Sequence, residues 1–219
     1  MIISTLHHDR PRFTERCIDS LKQVRGIENC KIFCVLDKRE DETVNEEVLS
    51  LLKGIDFCEK TLKISSIHRG KNKSVGFALT SVYRNDNLIF HVDDDVTVSK
   101  DSLELAEDVC LSKHFRRYNV FSLYEKKKKE EIYVEDYSLI SSRSTFTPFG
   151  FVISREMAST LLSEKHWTKE YPWVSSLRER GMRELYPRLS RSLSLSHSKP
   201  NDFWAGELET KYTPPDYTV

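Results

Sequence analysis

The first hundred residues alternate short apolar runs with stretches in which apolar side chains recur every three or four positions. Residues 1–6 form an apolar run of strand length, and after Pro11, a residue suited to the first turn of a helix, Phe13, Cys17, Ile18, Leu21 and Val24 fall on one side of a helix. The pattern then repeats. Residues 31–36 predict a second strand, Val44, Val48, Leu51 and Leu52 a second helix, residues 61–64 a third strand, 74–83 a third helix and 88–92 a fourth strand. A βαβαβαβ order implies a mostly parallel sheet covered by helices on both faces.

Beyond Ser99 the regular alternation stops. Leu103, Leu105, Val109 and Cys110 predict a helix, residues 119–123, 132–137 and 149–153 are shorter strand candidates, and residues 155–162 predict another helix. The chain therefore reads as one α/β domain with a regular half, 1–99, and a mixed half, 100–219. The run Lys126-Lys127-Lys128-Lys129-Glu130-Glu131 reads as a solvated loop tip. Thr213-Pro214-Pro215-Asp216 cannot continue a helix and reads as a linker.

Composition narrows the functional classes. A chain of 219 residues can bury roughly 70% of its unfolded surface, so a large core is available. Lysines and arginines (34) equal aspartates and glutamates (34), which leaves no global basic face for nucleic acid. No apolar stretch approaches the roughly 18 to 20 residues of a spanning helix. The N-terminal run has no preceding positive charge and no small-residue cleavage site, and reads as a buried strand rather than a signal peptide. Five cysteines, an odd number without CxxC spacing, include Cys17, Cys34 and Cys110 among apolar neighbours, as reduced thiols would be. These features together predict a cytoplasmic protein.

The most informative stretch is Leu88-Ile89-Phe90-His91-Val92-Asp93-Asp94-Asp95-Val96-Thr97. Three adjacent carboxylates directly after a buried-type strand repel one another, so a cation or hydrogen-bond donors must offset that cost. In open α/β sheets ligands bind beyond the carboxyl ends of the strands, where this cluster falls, and oxygen ligands favour Mg²⁺ or Mn²⁺ over zinc. A polar turn would rarely need three acids. A calcium loop counted from Asp93 puts Val98 where the sharp turn requires glycine, and a strand precedes it instead of a helix. The Asp-x-Asp-x-Thr run also resembles the nucleophile loop of haloacid-dehalogenase-type phosphatases, which would make Asp93 the nucleophile and Asp95 the acid/base. Here, however, it follows the fourth strand, and no Asp-Asp pair lies downstream, only the scattered Asp101, Asp108, Asp136, Asp202 and Asp216.

A resemblance covering most of the chain is to glycosyltransferases of the GT-A fold, especially the inverting family that includes N-acetylglucosaminyltransferase I. Ser4-Thr5-Leu6-His7-His8-Asp9-Arg10-Pro11 looks like that family's first strand and nucleotide-facing loop, and Arg16-Cys17-Ile18-Asp19-Ser20-Leu21 like its following helix. Asp37 matches the acid that contacts uracil. Lys71-Asn72-Lys73-Ser74-Val75-Gly76-Phe77-Ala78-Leu79 resembles the segment lying along the nucleotide, Asp93-Asp94-Asp95 the DxD motif, and Phe149-Gly150-Phe151-Val152-Ile153-Ser154-Arg155 the glycine-containing strand at the acceptor side.

The resemblance implies a Mn²⁺- or Mg²⁺-dependent transfer of a sugar from a UDP-sugar donor to a saccharide hydroxyl. It implies that Asp95 is the main metal ligand, that Asp93 touches the metal, the ribose or the donor sugar, and that Asp94 assists. Asp37 would accept the uracil N3–H, and the backbone of Thr5 and Leu6 would flank the base. In Ser196-His197-Ser198-Lys199-Pro200, His197 would be a second metal ligand and Lys199 would neutralise a phosphate. Gly70-Lys71-Asn72-Lys73-Ser74 lacks the Walker order, yet Lys73 is a candidate for the donor phosphates.

An inverting reaction needs a carboxylate base. The family's acidic pair aligns here with Tyr171-Pro172, so Glu170 is the candidate base and Asp202 the second. Arg178, Arg180, Arg183, Arg188 and Arg191 oppose only Glu179 and Glu184, and most of them read as a solvated helix face. Two of Trp167, Trp173 and Trp204 read as core, with the third free to stack on a sugar. His7 and His8 read as loop residues. A module that binds sugar or nucleotide without turnover is the alternative to an enzyme.

Overall fold

A computed structural model describes residues 1–83, 86–125, 139–144, 147–163, 183–197 and 216–217. Its first half is the predicted alternation: β1 (Ile2–His7), α1 (Pro11–Lys22), β2 (Lys31–Leu36), α2 (Glu46–Lys53), β3 (Glu59–Ile64), α3 (Lys71–Val82) and β4 (Leu88–Asp93). The helix boundaries have local causes. Pro11 opens α1; the Asn45 side chain accepts from the Val48 amide at the start of α2, where Glu46 and Glu47 favour the positive helix end.

The second half contributes β5 (Val96–Val98), α4 (Ser102–Leu111), α5 (Lys113–Tyr118), β6 (Val120–Ser122), β7 (Leu139–Arg143), β8 (Phe151–Ser154), α6 (Arg155–Ser163), β9 (Glu184–Pro187), β10 (Ser192–Ser194) and β11 (Asp216–Tyr217). One mixed sheet runs in the order β3-β2-β1-β4-β8-β6-β9-β7-β11, and β5 pairs with β10 in a separate two-stranded ladder. Strands β3, β2, β1 and β4 are mutually parallel, and β8 adds to β4 antiparallel.

The sheet is buried on both faces because its central strands carry apolar side chains at both parities. On β1, Ile3 joins one core and Ile2 and Leu6 the other; on β4, Phe90 and Val92 join the first and Ile89 the second. The first core is closed by α1, α2, α4 and α5, through residues such as Cys17, Leu52, Val109 and Phe115. The second is closed by α3 and α6, through Val75, Leu79, Val82 and Met157. Cys17, Cys30, Cys34, Cys58 and Cys110 are all free thiols. No helix among the described residues is long and apolar enough to cross a membrane.

Connections β1–α1–β2–α2–β3 wind to one side of β1, whereas β4 lies on its other side. This reversal creates a crevice beyond the carboxyl ends of β1 and β4, the place where open α/β sheets bind ligands. Two of the missed strands matter most for that crevice. Val96–Val98 follows the acidic triplet directly, and antiparallel pairing of Val98 with Ser192 and Val96 with Ser194 carries the segment after β10 back to the triplet.

Several expectations for the second half change. Residues 183–191 lie on β9 and its continuation, not on a helix. Arg183 is exposed, and Arg191 is buried with its Nε donating to Asp101 at 2.8 Å and its Nη1 to the Leu189 carbonyl at 2.7 Å. The Pro-rich tail ends in β11, which pairs parallel with β7 through Asp216 and Tyr217, so that part of it is sheet edge and not linker. The predicted strand 132–137, the charge run 126–131, Arg178, Arg180 and Trp167, Trp173 and Trp204 lie outside the described residues.

The Arg191–Asp101 pair ties β10 to the start of α4 with both side chains almost fully buried. Arg191→Ala would strand an uncompensated carboxylate, and we expect urea unfolding to show a loss of about 3–5 kcal/mol. A loss below about 1 kcal/mol, typical of a solvated pair, would contradict the burial of this contact.

Candidate active site

The carboxyl ends of three parallel strands meet at a cavity of about 380 Å³. From β1 come Leu6, His7, His8 and Arg10; from β2, Asp37; from β4, Asp93 and the turn residues Asp94 and Asp95; from the N-terminus of α3, Gly70, Lys71 and Ser74. Ser196 and His197 close it from the second half. Strand pairing sets these positions: the Asp94 amide donates to the Leu6 carbonyl and the Asp37 amide to the His7 carbonyl, each at 2.9 Å.

Asp93, Asp94 and Asp95 are 5%, 2% and 2% exposed, so their charges must be offset within the protein. Arg10, the residue just before α1, does most of this. Its guanidinium holds Asp94 through Nε and Nη2 and reaches Asp95 Oδ2 from Nη1 at 3.2 Å. Asp93 accepts from His91 Nε2 at 3.2 Å and lies 3.7 Å from the Lys71 ammonium, while His91 Nδ1 is 3.2 Å from Ser4 Oγ.

These neighbours separate the acids chemically. Burial pushes the Asp93 carboxyl up, but the His91 hydrogen bond and the charges of His91, Lys71 and Arg10 outweigh it and hold the group below its ordinary value. Burial drives Asp94 up to about 6 against the pull of Arg10, with Asp93 and Asp95 adding like-charge repulsion.

Asp95 is also bound by the second half. Its carbonyl accepts from the Leu195 amide at 2.6 Å, and its carboxylate accepts from the Ser196 hydroxyl. His197 follows, with Nδ1 2.7 Å from Ser196 Oγ and 3.1 Å from Ser194 Oγ, and its ring lies 5.0 Å from that of Phe149. Gly150 packs against this segment: its φ of 82° favours glycine, and a Cβ there would lie 3.3 Å from the Cβ of Ser192 on β10.

Asp37 holds the start of a helix. It is buried and accepts from the amides of Arg69 and Gly70 at 3.2 and 3.1 Å and from Ser74 Oγ at 2.7 Å, so a carboxylate holds the N-terminus of α3. The Gly70 backbone is left-handed (φ 75°), which directs these amides at Asp37. The lysine facing the cavity is Lys71; Lys73, on the exposed side of α3, is not among the lining residues.

Leu6 lines the cavity, whereas Thr5 is fully buried in β1 with its hydroxyl 2.9 Å from His7 Nε2. His7 is the last residue of β1 and not a loop residue, and its Nδ1 lies 3.3 Å from Thr14 Oγ1. Glu170, Asp202 and Lys199 lie outside the described residues. Arg10, His8, His68 and Ser196 also line the cavity, and none of them stood among the candidate site residues of the sequence. An arginine adjoining the helix-starting proline was the available signal for Arg10, since its position fixes it beside the end of β1.

Carboxylate oxygens and an imidazole, the side-chain types present at the acidic turn and His197, are donors that Mn²⁺ takes, and Mg²⁺ takes the oxygens. Ser196 links Asp95 to His197, its hydroxyl meeting the carboxylate of one and Nδ1 of the other. Two of the three carboxylates are held by Arg10, so a divalent cation would share or displace that guanidinium.

No protein-family model matches the chain, and no curated protein sequence matches it. Solved structures do. A mannosyltransferase from Pyrobaculum calidifontis, in complex with GDP-Man and Mn²⁺, superimposes with a TM-score of 0.56 at 13% identity over 85% of this chain and 54% of its own. Residues 1–349 of TarS from S. aureus give 0.61 at 12% identity over 90% of this chain and 61% of that one. The TarS complex with UDP-GlcNAc gives 0.60 at 12% identity, covering 91% and 62%. The chain thus spans between 54% and 62% of these structures. The fold is α/β and Rossmann-like, of the GT-A type found in sugar-nucleotide-dependent glycosyltransferases.

His7 gives a direct test of the packing at the base of the cavity. Burial lowers its pKa to about 3, with Asp93 opposing and His91 and Arg10 reinforcing the shift. The unfolded chain takes up this proton below its ordinary value of 6.5 and the native one only near 3, so stability must fall as pH drops between those limits, at up to roughly 1.4 kcal/mol per pH unit. Urea unfolding of His7→Gln should show a correspondingly shallower decline than the wild type between pH 6.5 and pH 4. Identical slopes would contradict a buried neutral imidazole.

Proposed function

We propose that the protein is a metal-dependent glycosyltransferase that moves a sugar from a UDP-sugar to a hydroxyl of a saccharide-type acceptor, with inversion. The observation that carries this reading is the meeting of Asp37, the Asp93–Asp95 turn and His197 in one cavity at the point where the strand order reverses. The likeness to structures that hold GDP-Man with Mn²⁺, or UDP-GlcNAc, supports it at the level of fold.

A bound Mn²⁺ or Mg²⁺ would neutralise the diphosphate leaving group as a Lewis acid. Asp95 and His197 would hold it, with Asp93 beside them, and Asp94 would keep Arg10 in place. Lys71, 3.7 Å from Asp93 and lining the cavity, is proposed to meet the donor phosphates in place of Lys73, which is not among the lining residues. Lys199 is proposed to add a second positive charge. Asp37 offers an acceptor to the base, with Leu6 against it, and the amides of Arg69 and Gly70, just before α3, fix the direction of that carboxylate. Glu170 is the proposed proton acceptor from the acceptor hydroxyl, with Asp202 second. The phosphatase alternative is disfavoured because the acidic run follows the fourth strand and not the first, and no Asp-Asp pair follows it in the sequence.

Release of UDP from UDP-sugars in the presence of Mn²⁺ tests the reading. Asp95→Asn should lower turnover by about 100-fold, equivalent to roughly 2.7 kcal/mol of transition-state stabilisation. Asp37→Asn, which keeps an acceptor for the Arg69 and Gly70 amides, should raise KM by about tenfold and reduce the preference for uridine donors. Unchanged metal-dependent turnover in Asp95→Asn would overturn the metal assignment. Wild-type UDP binding without transfer or hydrolysis across donors and acceptors would indicate a binding module.

A further inference from the structure

Asp37 belongs to another convergent group. Among the described residues, the ligand atoms of His8, Asp37 and His68 all lie within 4.8 Å of one another. Each comes from a segment at the same end of the sheet: His8 follows β1, Asp37 follows β2, and His68 precedes α3. The two imidazoles aim at one oxygen. His8 Nε2 is 2.9 Å and His68 Nδ1 2.6 Å from the Lys38 carbonyl, and His68 Nδ1 is 3.8 Å from Asp37 Oδ2. The rings are tilted by 53° with centroids 5.5 Å apart, so they are not stacked on each other.

We propose that His8, Asp37 and His68, with the Lys38 carbonyl as a fourth donor, form a binding site for a late first-row transition-metal cation of the Zn²⁺ class. Two imidazole nitrogens and two oxygens match the donor number and type such ions take in tetrahedral sites, whereas Mg²⁺ and Ca²⁺ prefer all-oxygen sets. Asp37 and the His68 backbone are also held by other contacts. Asp37 is fixed by the Arg69 and Gly70 amides and by Ser74, and the His68 amide donates to the Glu42 carboxylate at 3.1 Å.

The proton inventory closes without any co-reactant. Each neutral imidazole that donates to Lys38 moves its proton to the other ring nitrogen, Nδ1 in His8 and Nε2 in His68, and presents the vacated lone pair to the cation. No proton is lost, and the carbonyl exchanges two N–H donors for the metal. The cavity thereby offers a hard donor set at Asp93–Asp95 and a softer one at the histidine pair. The site does not rest on the proposed function. Only one consequence does: a cation on Asp37 and a nucleotide base on Asp37 would exclude each other.

Titration of the metal-free protein with Co²⁺, in excess Mg²⁺ to occupy the acidic turn, tests the site without any nucleotide. The wild type should bind one Co²⁺ with the strong visible absorption of a low-coordinate site. His8→Ala and His68→Ala should each weaken it by at least about tenfold, and His197→Ala should leave it unchanged. Wild-type affinity in both histidine variants, or loss in His197→Ala, would overturn the proposal. Should either variant fold poorly, X-ray absorption of the zinc-loaded wild type decides: two imidazoles in the coordination sphere support the site, and one or none overturns it.

Discussion

Three carboxylates buried side by side at the end of β4 are the constraint around which this molecule is arranged. Such a cluster is tolerable only if positive charge and hydrogen-bond donors reach it from several directions. Arg10 comes from the turn into α1, Lys71 from the start of α3, His91 from within β4 itself, and Ser196 from the segment after β10. Each depends on a different connection of the fold, so the acidic turn registers the correct assembly of both halves. A divalent cation would enter a site whose charge is already partly offset, in competition with Arg10.

The β5–β10 ladder is what makes the second half part of the site. By pairing Val96–Val98 with Ser192–Ser194, it places Leu195 and Ser196 on Asp95 and leaves His197 against Phe149. The ladder is anchored by the buried Arg191–Asp101 pair and by the absence of a side chain at Gly150. Asp37 performs the equivalent service on the other side: its carboxylate holds α3 and so fixes Lys71, which reaches the cavity, and Lys73, which does not.

The parallel half was legible because its signals are local. Strands buried on both faces read as apolar runs, and α1 and α2 carry clear periodicity with a proline or asparagine at the start. The acidic triplet announced itself through its electrostatic cost. Less legible were features defined by partners far along the chain. Val96–Val98 and Ser192–Ser194 are three residues each, too short for a period, and they are strands only because they find each other across nearly a hundred residues. Arg191 looked solvated because its partner, Asp101, is equally distant. Lys71 and Lys73 differ only in the direction α3 turns them, which Gly70 and Asp37 decide. The approach of His8 and His68 through the Lys38 carbonyl depends on three strand ends at once.

Calorimetric titration of UDP into the protein with Mn²⁺, repeated after chelation and with GDP and ADP in its place, addresses the central claim most directly. If the cavity joins a base acceptor at Asp37 to a cation site at Asp95, UDP should bind in the presence of Mn²⁺, weaken sharply on chelation and be preferred over both purine nucleotides. Equal binding with and without metal, or no binding of any nucleotide, would contradict it.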